Sequence, residues 1–395
     1  MLVIRNISEL FLGDGRSIRD ATLRIENGRI LDFGEDGEEF LDARGGTVIP
    51  GLIDSHTHLL FAGTRSDEFV MRAKGMSYLE ITNAGGGIWR TVEAVRRASL
   101  EELVELALPR LARMLSYGVT TVEVKSGYGL TVGDEIKMLL AVRKLQELHP
   151  VELVPTYLGA HTIPPEYRSR REAFVDLVVS DELMGRVAEE GLAEFVDVFC
   201  EESAFTVEES RRILESGKKR GLAPKIHADQ ITQMGASRLA AEVGCVSADH
   251  LERIDEGGIA ALNSAGVIAG LLPGCSFYLG VPQAPARRLL DSGVPVAFAT
   301  NYNPGSSMVE SLPLALSIAC TQMSVTPSEA LVGATSTAAA ALRREKRLGR
   351  IETGMDADLV VLDAASVDQW LSEVGRSAVR TVLKRGRVVD ESSRS

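Results

Sequence analysis

Apolar and polar positions alternate along the first 50 residues, in short runs separated by turn residues: Leu2-Val3-Ile4, the FLGDG turn, ATLRIENGRILDFG and GGTVIPG. Alternation puts successive side chains on opposite faces of an extended chain, so these runs predict half-buried strands. Asn27-Gly28 between two of them predicts a two-residue hairpin, because both central positions of that turn need positive φ. The last 50 residues share the texture, with LGRIETGMDADLVVLDA and then VRTVLKRGRVVD around an Arg385-Gly386 turn. Two β-rich ends of this kind predict one small sheet unit assembled from residues 1–50 and 345–395, with residues 51–344 forming the body between them.

In the body, short β-rich runs alternate with amphipathic helical stretches, the pattern of a parallel sheet covered by helices. Residues 100–117 carry the helix period through Leu100, Leu103, Val104, Ala107, Leu111, Met114 and Leu115, and Pro109 within them predicts a kink or a division. Eight β runs end near His56, Lys125, His161, Glu201, His227, His250, Pro273 and Asn301. The intervals between these ends are 69, 36, 40, 26, 23, 23 and 28 residues; the last six each suit one strand-helix unit, and the first must hold an insertion. Eight units in series predict an α/β fold, a (β/α)8 barrel of TIM type, rather than an open sheet. Polar residues sit at the C-terminal end of nearly every run and apolar residues fill the bodies, which places the chemistry at the face where barrels of this type build their sites.

Composition narrows the function. The 395 residues contain 43 Lys+Arg against 55 Asp+Glu, a formal net charge of −12, which argues against nucleic-acid binding through clustered cations. The four cysteines (Cys200, Cys245, Cys275, Cys320) form no C-x-x-C pair, so neither a disulfide framework nor a cysteine-built zinc knuckle is expected. No stretch offers about 18 uninterrupted apolar residues and the N-terminus lacks a signal-peptide pattern, so the expectation is a cytoplasmic protein without a membrane partner. The terminal SSRS is expected to fray.

Six histidines occur: His56, His58, His149, His161, His227 and His250. His56-Thr57-His58 puts two imidazoles on one side of an extended segment, where both can meet one ion. Such an H-x-H is weak alone. His227 and His250 strengthen it, because each closes its own predicted strand and all four then face one barrel mouth. That arrangement makes one divalent metal per chain, zinc or iron, the expected cofactor. His149, beside Pro150, has no part in it.

The segments PGLIDSHTHLLFAGTR, AGGGI, TVEVKSGYGL, LGAH with the following PPEY, VDVFCE, KIHADQ, SADHLE, LLPG and NPGSS, in this order, resemble the amidohydrolase superfamily, and within it the imidazolonepropionase family most closely. The resemblance spans almost the whole chain. It implies a metal-bearing (β/α)8 barrel flanked by a small β-sandwich from both chain ends. It also implies hydrolytic opening of the 4-imidazolone-5-propanoate ring to N-formimino-L-glutamate in histidine degradation. By the same resemblance His56, His58 and His227 are metal ligands, and His250 meets the attacking water or the developing oxyanion and moves protons. Arg65 clasps the propanoate of a small anionic heterocyclic substrate, a role suited to a guanidinium fork. Because the chain is acidic overall, attraction for that anion must come locally, from Arg65 and the metal. Tyr128 and His161 line the ring pocket; Gln230, Asn303, Gly305 and Ser306 add polar contacts; Gly85-Gly86-Gly87 forms a mobile loop over the site. A homodimer is an implication of the resemblance only.

One position departs from the pattern. The family has Asp after the eighth strand, as a ligand and proton acceptor, and this chain has Asn301 in Thr300-Asn301-Tyr302-Asn303-Pro304-Gly305. An amide oxygen is a neutral, weaker ligand and no base near neutral pH. Gln230, in the position after HAD, supplies no replacement carboxylate, which leaves His250 as the expected base. Asp229 and Glu201 have no assigned role. Three explanations of Asn301 stay open: a natural variant working through His250, a weakened or repurposed relative, and a deliberate inactivating substitution. The alternative functions are a related amidohydrolase or deaminase acting on another heterocycle and a non-catalytic binding protein.

Overall fold

A computed structural model describes residues 1–76, 80–81 and 85–391. Ala84 of the glycine-rich segment and the terminal residues 392–395 lie outside the described residues.

The N-terminal strands are β1 (Leu2–Phe11), β2 (Ser17–Glu26), β3 (Arg29–Asp32), β4 (Glu39–Asp42) and β5 (Thr47–Pro50). Those from the C-terminus are β14 (Leu359–Leu362), β15 (Val379–Lys384) and β16 (Arg387–Glu391). They form one sheet of order β16-β15-β14-β5-β1-β2-β3, with β4 also on β1, so both chain ends build it together as their shared texture predicts. Asn27-Gly28 and Arg385-Gly386 are both tight turns with positive φ at each residue (52° and 78°, 47° and 71°). The sheet curls on itself: the edge of β3 bonds to the segment leading into β14, with Ile30 N–H donating to Met355 O (2.9 Å) and Gly354 N–H to Ile30 O (2.8 Å). Ile4, Ile7, Leu10, Leu23, Val48, Leu359 and Leu383 fill its own core.

Eight parallel strands follow in chain order: β6 (Leu52–Asp54), β7 (Val119–Lys125), β8 (Glu152–Ala160), β9 (Phe195–Cys200), β10 (Ala223–Ala228), β11 (Ser247–His250), β12 (Ile268–Leu271) and β13 (Val296–Phe298). The long first interval holds the helices α1 (Ser66–Ala73), α2 (Ile88–Arg97) and α3 (Leu100–Ser116). Helix α3 corrects half of one expectation: it is not divided at Pro109 but runs through it. Its start is fixed by a capping box between Ser99 and Glu102, and its apolar face is buried from Leu103 to Leu115, so packing and capping outweigh one lost backbone bond.

A second correction concerns the strand bodies. The positions Val122, Val124, Val196, Val198, Ile226 and Ala248 belong to the core shared with the helices. The alternate positions are ionic and fully enclosed: Glu123, Lys125, Asp197 and Lys225. The interior of this barrel therefore carries a buried charge layer beneath its mouth rather than an apolar filling.

No ladder joins β6 to β13 directly. The barrel closes just beyond their ends, where Asn301 N–H donates to His56 O (3.0 Å), His58 N–H donates to Tyr302 O (3.0 Å), and Thr57 bridges Tyr302. Asp54 reinforces the seam by accepting the Thr300 N–H (3.1 Å) and hydroxyl (2.6 Å).

Candidate metal centre and active site

The seam holds the His56–His58 segment extended, so its two imidazoles fall on one side as the spacing predicts. His227 enters from β10, and one ring nitrogen from each of His56, His58 and His227 lies within 4.8 Å of the others. All three are buried. His227 Nε2 and His58 Nε2 approach to 3.4 Å, and His56 Nε2 is enclosed with no partner. Burial holds His56 and His58 well below the usual histidine range, with Lys125 adding to the effect on His56 and His161 on His58. Burial also lowers His227, against the opposing pull of Asp197. Neutral imidazoles with converging lone pairs fit a soft-to-borderline divalent cation.

The rings are oriented from behind. His56 Nδ1 lies 2.7 Å from Asp249 Oδ2, and His227 Nδ1 lies 3.2 Å from Asp197 Oδ1. A carboxylate only accepts, so each ring donates through Nδ1 and turns its Nε2 lone pair to the mouth. Lys125 Nζ donates to Asp197 and Glu123 (2.8 Å each), and Lys225 Nζ lies 3.0 Å from Glu123 and 3.9 Å from Asp249. Burial opposes the Lys125 charge, but Asp197 and Glu123 outweigh it and raise its pKa. Motif reading missed this layer. Its signal was charged residues set among apolar ones in the strand bodies: Glu123 and Lys125 in TVEVK, Asp197 in FVDVFC and Lys225 in PKIHAD.

His250 ends β11 with its ring 5.4 Å from that of His227 and 5.7 Å from that of His56. Its backbone and that of Leu251 are left-handed (φ 83° and 67°), as are those of Asp229 after β10 (46°) and Asn301 after β13 (53°). Non-glycine residues rarely adopt this conformation, and its recurrence at the barrel mouth marks places where the chain turns sharply to aim side chains. Asn301 is buried and its Oδ1 has no partner.

On the side expected for substrate, Arg65 is nearly enclosed and donates through Nε and Nη2 to Glu68 (3.0 and 2.8 Å). Its Nη1 points at Gly305, where a Cβ would lie only 2.3 Å away. His161 stacks on His58 (4.9 Å, 17°) and lies 5.3 Å from the Tyr128 ring, so these two flank the histidine cluster. Burial pushes His161 down to about 3 and pushes Tyr128 up, with Arg65 opposing the latter. Asn303 spends its amide on its own loop, accepting from Gly305 and Ser306 N–H (2.8 Å each) and donating to Asn301 O (2.6 Å) and Ser306 Oγ (3.0 Å). Gln230 is half-buried. Gly87 is tied down, its N–H donating to Glu68 Oε1 (2.9 Å). Asp229 and Glu201 have structural tasks. Asp229 accepts three backbone N–H groups around the start of helix Ala236–Val243, and Glu201 accepts those of Ile231 and Thr232. His149 lies apart, accepting the Val151 N–H.

A profile of the amidohydrolase family matches residues 67–390. An imidazolonepropionase of Geobacillus kaustophilus is 49% identical, over 94% of this chain and 90% of that protein. One of Myxococcus xanthus is 48% identical, over 98% and 96%. Among solved structures, a triazine hydrolase variant superposes with a TM-score of 0.80 at 21% identity, covering 99% of this chain and 94% of that one. A Klebsiella pneumoniae 5-methylcytosine deaminase liganded with 5-fluorocytosine gives 0.79 at 18%, covering 100% and 98%. At such identities the two structures speak for the fold alone.

Proposed function

The chain belongs to the amidohydrolase family, within its imidazolonepropionase branch, and from that premise we propose that it opens the ring of 4-imidazolone-5-propanoate with water, giving N-formimino-L-glutamate in histidine degradation. The observation that carries the reading is the convergence of ring nitrogens from three buried histidines, His56, His58 and His227. His56, His58 and His227 would hold one divalent ion, zinc or iron(II), with the Asn301 amide oxygen as a weaker fourth donor. Such an ion supplies Lewis-acid polarisation and acidifies water.

The chain's own groups do the rest. Arg65 takes the propanoate through Nη1, the edge that Glu68 leaves open. His161 and Tyr128 pack the ring; Gln230, Gly305 and Ser306 border it, and Asn303 shapes the loop that carries them. His250 accepts the proton of the attacking water as the new C–O bond forms and returns it to the ring nitrogen as the C–N bond breaks. Enclosure of the mouth keeps these polar contacts strong. Residues 51–344 form the catalytic body in this reading, and residues 1–50 with 345–395 form its supporting β-sandwich domain.

Metal analysis combined with a ring-opening assay tests the proposal. Close to one ion per chain with turnover is the expected result. Because Asn301 replaces a carboxylate, a binding protein without turnover is the second reading. Tight capture of the carboxylate-bearing ring by the metal-loaded chain, with no product, would favour it.

A further inference from the structure

We infer that Glu252 is the positioning residue that makes His250 an effective base in this chain, in place of the carboxylate missing at position 301. The inference rests on the proposed ring opening and concerns how that site manages its proton. Glu252 Oε1 lies 3.4 Å from His250 Nδ1 and accepts the Ser276 hydroxyl at 3.2 Å. Its other oxygen, Oε2, is enclosed without a partner. A buried oxygen left unpaired costs stability, so the carboxylate's placement is not explained by packing.

Elimination points the same way. Around the mouth, Asp249 and Asp197 serve His56 and His227, and Asp54 is held by Thr300. Asp229 and Glu201 are saturated by backbone N–H groups, and Glu68 is taken by Arg65 and Gly87. Among the described residues Glu252 is the carboxylate that meets His250. Accepting from Nδ1, it fixes the neutral tautomer whose Nε2 lone pair faces the mouth. It also stabilises the imidazolium formed when Nε2 takes the water's proton. The left-handed backbone at His250 and Leu251 turns the chain so that two residues of one segment, 250 and 252, face each other.

The test is a double-mutant cycle. Glu252→Gln should lower kcat about 100-fold in the protein with Asn301. In Asn301→Asp, where a second base is present, the loss should shrink to roughly threefold. Binding of 3-(imidazol-4-yl)propanoate, an unreactive carboxylate-bearing ring, should be unchanged by Glu252→Gln within each background. Nitrogen NMR of the unsubstituted protein should show neutral His250 protonated at Nδ1. If Glu252→Gln folds poorly, Ser276→Ala, which removes the hydroxyl donor to Glu252, should give the same background dependence at lower amplitude. Equal losses in both backgrounds, or an Nε2–H tautomer, would overturn the role of Glu252 alone. Absence of ring opening from all four metal-loaded proteins would overturn the proposed reaction and this inference with it.

Discussion

Asn301 sits where the seam, the histidine cluster and the mouth meet, with its amide oxygen buried and unpaired. Exchanging that amide for a carboxylate changes little in size and adds a basic, charged donor. Asn301→Asp is therefore expected to raise turnover at saturating metal by roughly tenfold or more, read as kcat, and to tighten metal binding. An unchanged or lower kcat would count against a proton-transfer role at this position. Asp249 acts one layer further back. It is enclosed between His56 and Lys225; burial raises its pKa, and Lys225 and Lys125 oppose the rise. Asp249→Asn would let the amide donate as readily as accept and loosen the choice of His56 nitrogen. Metal affinity should fall about 10- to 100-fold in chelator competition; wild-type affinity in this variant would show that the ring is held by packing alone.

At the level of elements, β11 and β12 control that carboxylate together. A Cβ at Gly270 in β12 would lie 2.1 Å from Asp249 Oδ1. Gly270→Ala should therefore displace Asp249 and weaken metal binding in the same direction as Asp249→Asn. The two substitutions combined should cost little more than either alone, because both break one contact. Additive losses would place the effect of Gly270 elsewhere. The elements were largely legible in the sequence because β-rich runs and helical stretches differ in period: each of the eight barrel strands ends within three residues of its expected end, and both hairpin turns are where Asn27-Gly28 and Arg385-Gly386 put them. The His56-x-His58 spacing was legible for the same reason. The partners of the histidines were not. Asp249 meets His56 across 193 positions and Asp197 meets His227 across 30, and only closure of the barrel brings them together. Arg65 was legible as a cation near the mouth, but its fork with Glu68 depends on the first turn of α1, which no motif announces.

For the molecule as a whole, Glu152 at the start of β8 is the joint between the barrel floor and the terminal sheet. It accepts from Arg344 (2.8 Å) and Arg347 and lies 3.8 Å from Lys384 in β15. Burial raises its pKa, but the two arginines outweigh this and hold it below the usual glutamate value. A group depressed on folding binds fewer protons in the folded state. Its stabilisation is thus complete above the unfolded value of about 4.3 and is lost as pH falls through the folded one. Glu152→Gln should lower Tm clearly at pH 7 and by much less at pH 3; equal shifts at both would remove the charge from the explanation. Among the described residues no helix is long and apolar enough to cross a membrane. The seam between β6 and β13 has a consequence for biosynthesis. Because His56 and His58 are secured by Asn301 and Tyr302, a ribosome must translate some 245 further codons after His56 before its backbone partner exists. Until then the nascent chain has no closed barrel, and the His56–His58 segment lacks the backbone bonds that hold it in place. Maturation of the centre is thereby tied to near-completion of synthesis, and a prematurely terminated product lacking the eighth strand would be an open, aggregation-prone sheet with its first histidine pair unsecured.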